Sequence, residues 1–524
     1  MENFPDVVRN NCYYVDKTAF IKALMTSGNK VQLITRPRRF GKTLFMDMMK
    51  SFFQLDFKNP ESTEGHAALF SGLKILRDPA LCREYMGQFP VIFISLKDVE
   101  GGNYAKAYDV FAGNLEAFVA QYNFLLASPR LNQWDKDTLR DYLTKGFLKN
   151  PSHLDDCKNF LKNMTVWLSK HFESQVILLI DEYDVPLAKA AQFGYYDDML
   201  ELIRSFLGQI LKESPRTEFD ASAYVRKAVL TGCLRVSKES IFTGINNPAF
   251  NTVCSEDTTL SEAIGFTSAE VETLLAYYGL SSRTDDVKRW YDGYRLAGSD
   301  IYCPWDVVTF ADLALRSPNF ERFRPGNYWE GTSGNSVISE FLGFLSAKDA
   351  DNMQDLVDGK AIELTVNEKL TYSDFALHRS QDFWTLLLFF GYLTVVECLA
   401  ANTYRVRIPN EEIRNTFINN VKERYSQANR EFVTYGQDFA KAALSGDTDG
   451  MSDILVPLLE NYVSVRDMAV KAPGGKLLPR FSDGVAPQRR FVRQRTPLQR
   501  GGGGRLCGSG LYERYGVTSY RRHY

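Results

Sequence analysis

Apolar and polar positions follow two regimes along this 524-residue chain. Short β-prone or apolar runs occur at 31–35, 90–96, 176–180 and 228–230, and each reads as a strand, with 176–180 buried on both faces. Between them apolar residues recur at helical spacing: Phe20, Ile21, Leu24 and Met25; Tyr108, Phe111, Leu115, Phe118 and Val119; Phe160, Leu161, Met164, Trp167 and Leu168. Strands separated by helices predict an α/β fold, a parallel sheet covered on both sides. The stretch with Gly65 and Gly72 reads as a polar loop.

Beyond residue 245 the signals change. Asn246-Asn247-Pro248 is turn chemistry. A helix is predicted over 267–278, with Thr267 as N-cap, Glu270 completing a capping box and Gly279 at its end. Aromatic turns at 290–294, 301–305 and 328–335 suit the core of a lid region better than a base-stacking surface. Residues 336–410 predict two amphipathic helices, an aromatic block at 383–392 and a strand pair at 394–398 and 403–408, suiting a small helical or winged-helix-like module. Residues 411–468 read as helical. The expected organisation is a core over 1–250, a lid over 251–335, a small module over 336–410, a helical segment over 411–472 and a tail over 473–524.

The net charge of −2 gives no global sign of nucleic-acid binding. Eight cysteines lie scattered with no C-x-x-C pair, and only five histidines are present. That argues against a zinc site or a disulfide framework and predicts a reducing, cytoplasmic setting. No leading apolar stretch with a basic flank is present, and no apolar run approaches the roughly 20 residues of a membrane span.

Candidate chemistry begins where the first strand meets Gly41-Lys42-Thr43 and a helix follows. Strand, Gly-Lys-Thr loop, helix is the layout of a phosphate-binding P-loop. Gly41 lets the backbone approach a phosphate, and successive amides at the helix start face the anion. The binding loop is expected to comprise Arg38, Arg39, Phe40, Gly41, Lys42, Thr43 and Leu44. Lys42 would reach the β- and γ-phosphates, and the Thr43 hydroxyl would sit on Mg²⁺. The pattern has one fault: G-x-x-x-x-G-K-[ST] wants glycine at position 36, where this chain has Arg36.

A second apolar strand ends in Asp181-Glu182-Tyr183-Asp184. Acids at the carboxyl end of a parallel strand are placed at the ligand-binding edge. Asp181 is expected to hold Mg²⁺, and Glu182 to activate a water against the γ-phosphate. Asp184, followed by Pro186, is expected to start the next helix. A third strand leads to Thr231, placed as a γ-phosphate sensor, and Arg235, whose guanidinium could bridge two phosphate oxygens. The segment 13–25 either packs beside the nucleotide base or is a plain leading helix.

These pieces together resemble the AAA-ATPase-like family, whose members often carry a C-terminal PD-(D/E)XK-type nuclease domain. The matching stretches are RPRRFGKT (36–43), LIDEYD (179–184), LTGCLRVSKESIFTGINN (230–247), WYDGY (290–294), YCPW (302–305), YW and TSGN within 328–335, FGYLT (390–394) and IPNEEIR (408–414). Arg-Pro-Arg-Arg-Phe-Gly-Lys looks like this family's own P-loop, which accounts for Arg36. The resemblance implies a P-loop NTPase fold, a three-layer parallel sheet, and ATP with Mg²⁺ as cofactors. The expected function is ATP binding and hydrolysis that drives or gates a DNA-related or regulatory partner. The alternatives are a slow nucleotide-gated switch and a DNA-processing factor that has lost its nuclease half. A nucleic-acid or protein partner and a homo-oligomer stay open; no membrane partner is expected.

From 473 to 524 the composition breaks: ten Arg and one Lys stand against one Asp and one Glu, with ten Gly. A basic Gly/Arg tail of this kind could bind nucleic acid. The preferred reading is a shifted frame, because a one-base shift of codons for 474–481 can give Glu-Glu-Asn-Tyr-Tyr-Arg-Gly, like the start of the family's nuclease domain. The coding DNA tests this. No acid followed by Glu-x-Lys occurs after residue 410, so nuclease activity is expected to be absent and the tail disordered.

Overall fold

Strands that bury consecutive residues must be covered on both faces, because successive side chains point to opposite sides. That is the case for β1 (Val31–Thr35) and β3 (Val176–Asp181), every residue of which is buried in the computed structural model. With β2 (Val91–Ser95), β4 (Val225–Gly232) and β5 (Ala249–Asn251) they form a five-stranded sheet in the order β2-β3-β4-β1-β5. Every pairing in it is parallel. Residues 3–212, 221–236, 245, 248–329, 347–372, 374, 379–428 and 430–454 are described. Clustering of contacts divides the chain into two units, with the break after Ile418.

Parallel strands need long crossovers, and helices supply them here. α1 (Phe4–Arg9) and α2 (Phe20–Thr26) precede β1, and α3 (Lys42–Phe53) follows it. The stretch expected to be a loop contains α4 (Glu64–Leu69) and α5 (Pro79–Tyr85). α4 buries no residue, so it leaves no amphipathic pattern. α5 had a readable start, Asp78 capping the Leu81 amide with Pro79 next to it. α6 (Tyr104–Val119), α7 (Gln133–Leu143) and α8 (Leu154–Phe172) lead to β3. α9 (Val185–Phe193) and α10 (Tyr196–Leu211) then lead toward β4.

The region after β5 is mixed rather than helical. α11 (Ser268–Tyr277), α12 (Thr284–Tyr291) and α13 (Pro304–Arg316) share a core of Leu274, Leu275, Val287, Tyr291, Val307 and Phe310. The Thr267–Glu270 capping box is present, and Gly279 takes a positive φ of +71° just past the helix. β6 (Phe266–Thr267), β7 (Tyr294–Leu296) and β8 (Ser299–Tyr302) form an antiparallel sheet. The two expected aromatic turns are thus a hairpin, closed by Ala297 and Gly298 at φ +46° and +87°. Two adjacent left-handed residues match the strand twist of a tight hairpin.

β9 (Ile362–Thr365), β10 (Thr394–Ala400) and β11 (Thr403–Arg407) form a second antiparallel sheet in the order β10-β11-β9. The strand pair of this module was legible, and β9 was not. The helix Ser380–Phe389 packs against β9. The helix Glu411–Ala428 begins before the unit boundary, and Arg430–Ser445 is helical within the second unit. The sensor-loop residues 237–244, most of the expected motif at 328–335, and the whole basic tail lie outside the described residues.

Candidate functional site

The carboxyl ends of β1, β3 and β4 meet at one place because β4 lies between the other two. Two sequence-predicted residues converge there on the carboxylate of a third. Thr43, in the first turn of α3, donates its hydroxyl to Asp181 Oδ2 at 2.7 Å. Thr231, near the end of β4, donates to Asp181 Oδ1 at 2.5 Å. Asp181 is fully buried, and that burial, with Glu182 beside it, pushes its pKa up; Thr231, Thr43 and Lys42 pull it back down.

Lys42 is nearly fully buried. Its ammonium lies 3.3 Å from Glu182 Oε1 and donates to the carbonyls of Arg36 and Pro37, each at 3.1 Å. Burial alone would lower its pKa, but its neighbours Cys233, Glu182, Asp181 and Asp184 raise it overall. The Cys233 thiol is itself pushed up to about 11 by burial and is neutral at pH 7, so the carboxylates hold the charge on Lys42. Glu182 sits in the left-handed region at φ +53°, an uncommon conformation for a residue with a Cβ. Arg39 (φ +67°) and Gly41 (φ +91°) turn the loop back so that α3 starts at Lys42. The amides of that first turn have no carbonyl partner within the helix and suit an anion. Leu44 lies half-buried in the same turn.

Arg36 does not point at this centre. Its guanidinium donates to Thr35 O at 2.9 Å, Asn251 O at 3.2 Å, Asn251 Oδ1 at 2.5 Å and Leu260 O at 3.1 Å. It is a buried strut tying the end of β1 to β5, and burial lowers its pKa to about 10. Of the other loop arginines, Arg38 faces the acids. Burial acts to lower its pKa, and Cys233, Tyr372, Glu182 and Asp184 raise it overall. Arg39 turns outward: it lies 4.7 Å from the Trp305 ring centroid and donates to Tyr328 O. Phe40 packs edge-on against Tyr294 at 4.9 Å.

Arg235 is not brought to the acids. It stacks on Phe250 with its guanidinium carbon 3.6 Å from the ring centroid. Burial lowers its pKa, and Glu368 is the foremost charge opposing that. The segment 13–25 braces the region after β5. Lys17 pairs with Glu270 at 2.6 Å, and Tyr13 packs on Tyr277 and Tyr278.

Asp184 stands at the N-cap position of α9 but makes no side-chain cap. Its Oδ2 accepts instead from the amides of Cys233 at 2.9 Å and Leu234 at 2.8 Å, and from the Tyr372 hydroxyl at 3.0 Å. Tyr183 holds the same loop: its hydroxyl donates to Leu234 O at 2.6 Å and accepts from Val236 N at 3.0 Å. Asp181 and Glu182 therefore face Thr43 and Lys42, while Tyr183 and Asp184 fix the exit of β4. The presence of an acid at 184 was legible; its partner Tyr372, 188 residues away, was not.

The distant motifs gather behind the loop that leads into α3. Gly391 packs on Pro37, and Tyr294 donates to Gly391 O at 3.0 Å. Gly293 lies against Pro409, and Glu412 accepts from Trp329 N at 2.7 Å.

Residues 1–242 match the family model described as "Predicted AAA-ATPase". Over 412 residues the chain is 27% identical to the protein named "Uncharacterized protein in vnfD 5'region" from Azotobacter chroococcum mcd 1. That alignment covers 77% of this chain, which spans 65% of the relative's length. No solved structure matches. Residues 1–242, which bring Lys42, Thr43, Asp181 and Thr231 to one centre, are similar to the AAA-ATPase-like family.

Proposed function

We propose that the chain binds ATP with Mg²⁺ over the loop 38–44 and hydrolyses it to ADP and phosphate. The observation that carries this reading is the meeting of Thr43 and Thr231 on Asp181, with Lys42 against Glu182. The donor set fits the metal. Mg²⁺ takes hard oxygen ligands, usually one or two from protein and the rest from water and phosphate, and the Thr43 and Asp181 oxygens stand 2.7 Å apart. When bound there, the ion would neutralise charge on the β- and γ-phosphate oxygens.

The chain's own residues then have separate tasks. Lys42 exchanges Glu182 for the phosphates, so the buried ammonium keeps a counter-charge throughout. Glu182, released from Lys42, orients a water against the γ-phosphorus and accepts its proton. Thr231 holds Asp181 in register with Thr43. Arg38 faces the charge that builds as the γ-phosphate leaves. Arg235 joins only on leaving Phe250.

The test is ATP binding and turnover by the full chain beside Lys42→Ala and Glu182→Gln. Loss of binding in the first, and binding without turnover in the second, is the expected result. Binding unchanged in Lys42→Ala would overturn the reading. A slow nucleotide-gated switch is favoured by one observation: the buried Lys42 is held by Glu182, so binding of phosphate requires that pair to part. Single-turnover kinetics separate the two, and stimulation by DNA or by self-association identifies what the cycle drives.

A further inference from the structure

The residues 366–372 run from β9 toward the helix Ser380–Phe389 and deliver Tyr372 into the centre just described. We propose that Tyr372 is a positioning residue for nucleotide hydrolysis. Through Asp184 it fixes the exit of β4 and makes turnover depend on the docked C-terminal sheet. The catalytic consequence rests on the reading above; the mechanical link does not.

Four observations carry the proposal. Tyr372 is buried, and its hydroxyl donates to Asp184 Oδ2 at 3.0 Å. That same oxygen accepts the amides of Cys233 and Leu234, so one buried atom joins β3, the exit of β4 and the segment 366–372. Only glycine fits beside this carboxylate at the end of β4: a Cβ on Gly232 would stand 2.5 Å from Asp184 Oδ1. The segment bearing Tyr372 is itself anchored: Val366 N donates to Asn402 O at 2.7 Å, and Asn367 N donates to Thr385 Oγ1 at 3.0 Å.

The position matters because Thr231 is one residue before Gly232, and its hydroxyl sets the orientation of Asp181. Tyr183 N also donates to Thr231 O at 3.0 Å, so movement of this loop is felt at both acids of the centre. A phenol donor is suited to this task. It neutralises no charge, it adds a third hydrogen bond to a buried carboxylate, and its ring fills the space around it.

Tyr372→Phe in the full chain removes the hydroxyl and keeps the ring. Two readouts test the proposal separately. Hydrogen exchange at the Cys233 and Leu234 amides, in nucleotide-free protein, is expected to quicken by at least about tenfold, as loss of a hydrogen bond to a charged group implies. The kcat for ATP is expected to fall by a similar factor while KM stays within about twofold. Lys106→Arg, at an exposed position on α6, serves as the comparison variant. Unchanged exchange at both amides overturns the proposal, as does unchanged kcat in an active enzyme. Loss of kcat with a matching rise in KM and a lowered melting temperature overturns it too, since that is a folding defect. If the wild type shows no turnover but exchange quickens, the ATPase reading fails and the link from Tyr372 to the β4 exit stands.

Discussion

Gly391 and Pro37 are in such close contact that a Cβ on Gly391 would stand 2.8 Å from Pro37 Cβ. Gly391 also has φ +90°, where any other residue is strained by about 1–2 kcal/mol. Gly391→Ala is therefore expected to lower the melting temperature and to weaken ATP binding, because the clash falls on the P-loop itself. Gly359 has a similar φ of +84° and nothing near its missing Cβ. Gly359→Ala should lower the melting temperature and leave ATP affinity unchanged. Calorimetry and nucleotide titration of both variants check the distinction.

Arg36 occupies the position where the common P-loop pattern has glycine, yet its guanidinium serves β5 and not phosphate. Arg36→Gly brings the sequence closer to the common pattern and is expected to harm the protein. It strips donors from Asn251, Leu260 and Thr35, all buried, and leaves a void at the end of β1. A loss of about 2–4 kcal/mol is the expected scale. Denaturant unfolding measures it; an equal or higher midpoint would contradict the strut.

The strands β1 to β4 and the helices α6 to α8 were legible because burial on both faces and helical spacing leave strong periodic signals. The meeting of Thr43, Asp181 and Thr231 was legible as well, since each follows an apolar run and parallel sheets place those ends together. Arg235 was harder, because an arginine after a strand can turn either way; here the face of Phe250 receives it. The hairpin β7–β8 hid behind aromatic residues that serve the core shared by α11, α12 and α13 and that pack on Phe40. Tyr372 could not be read at all, and Glu412 stood out only as part of IPNEEIR, without its contacts. Their partners lie 188 and 83 or more residues away, and no local pattern encodes such a contact.

Thr231→Val keeps the shape of the side chain and removes its donor to Asp181. The carboxylate keeps Thr43 but loses the bond that sets its second oxygen. A hydrogen bond to a charged group contributes about 1.5–3 kcal/mol, so kcat is expected to fall by about 10- to 100-fold. ATP affinity should change far less, because Lys42 and the amides of α3 are untouched. Steady-state kinetics with separate binding measurements check this. A variant with wild-type kcat would remove Thr231 from the mechanism.

The most pronounced pH dependence is expected from Asp306 and Glu412, a buried carboxyl pair behind Arg39. Burial pushes Asp306 up to about 6, with Cys303, Glu412 and the Arg39 charge pulling the other way. Burial and the Asp306 charge push Glu412 up to about 9, against the amides of Trp329 and Tyr328. Tyr291, Tyr294 and Tyr328 also face Glu412, and all three phenols are raised and neutral below pH 9. A raised folded-state pKa means that the folded protein holds a proton the unfolded chain releases. The stabilisation is complete below about pH 4, the unfolded range of both carboxyls, and is lost as pH rises through 6 and then 9. Glu412→Gln keeps an acceptor for the Trp329 amide, supplies a donor toward Asp306 and removes one titration. The wild-type melting temperature is expected to fall between pH 5 and 9, and the variant's to fall less, so that the variant is the more stable at pH 8.5. Parallel pH profiles would exclude the raised pKa of Glu412 and leave it as an ordinary acceptor for the backbone at Tyr328 and Trp329.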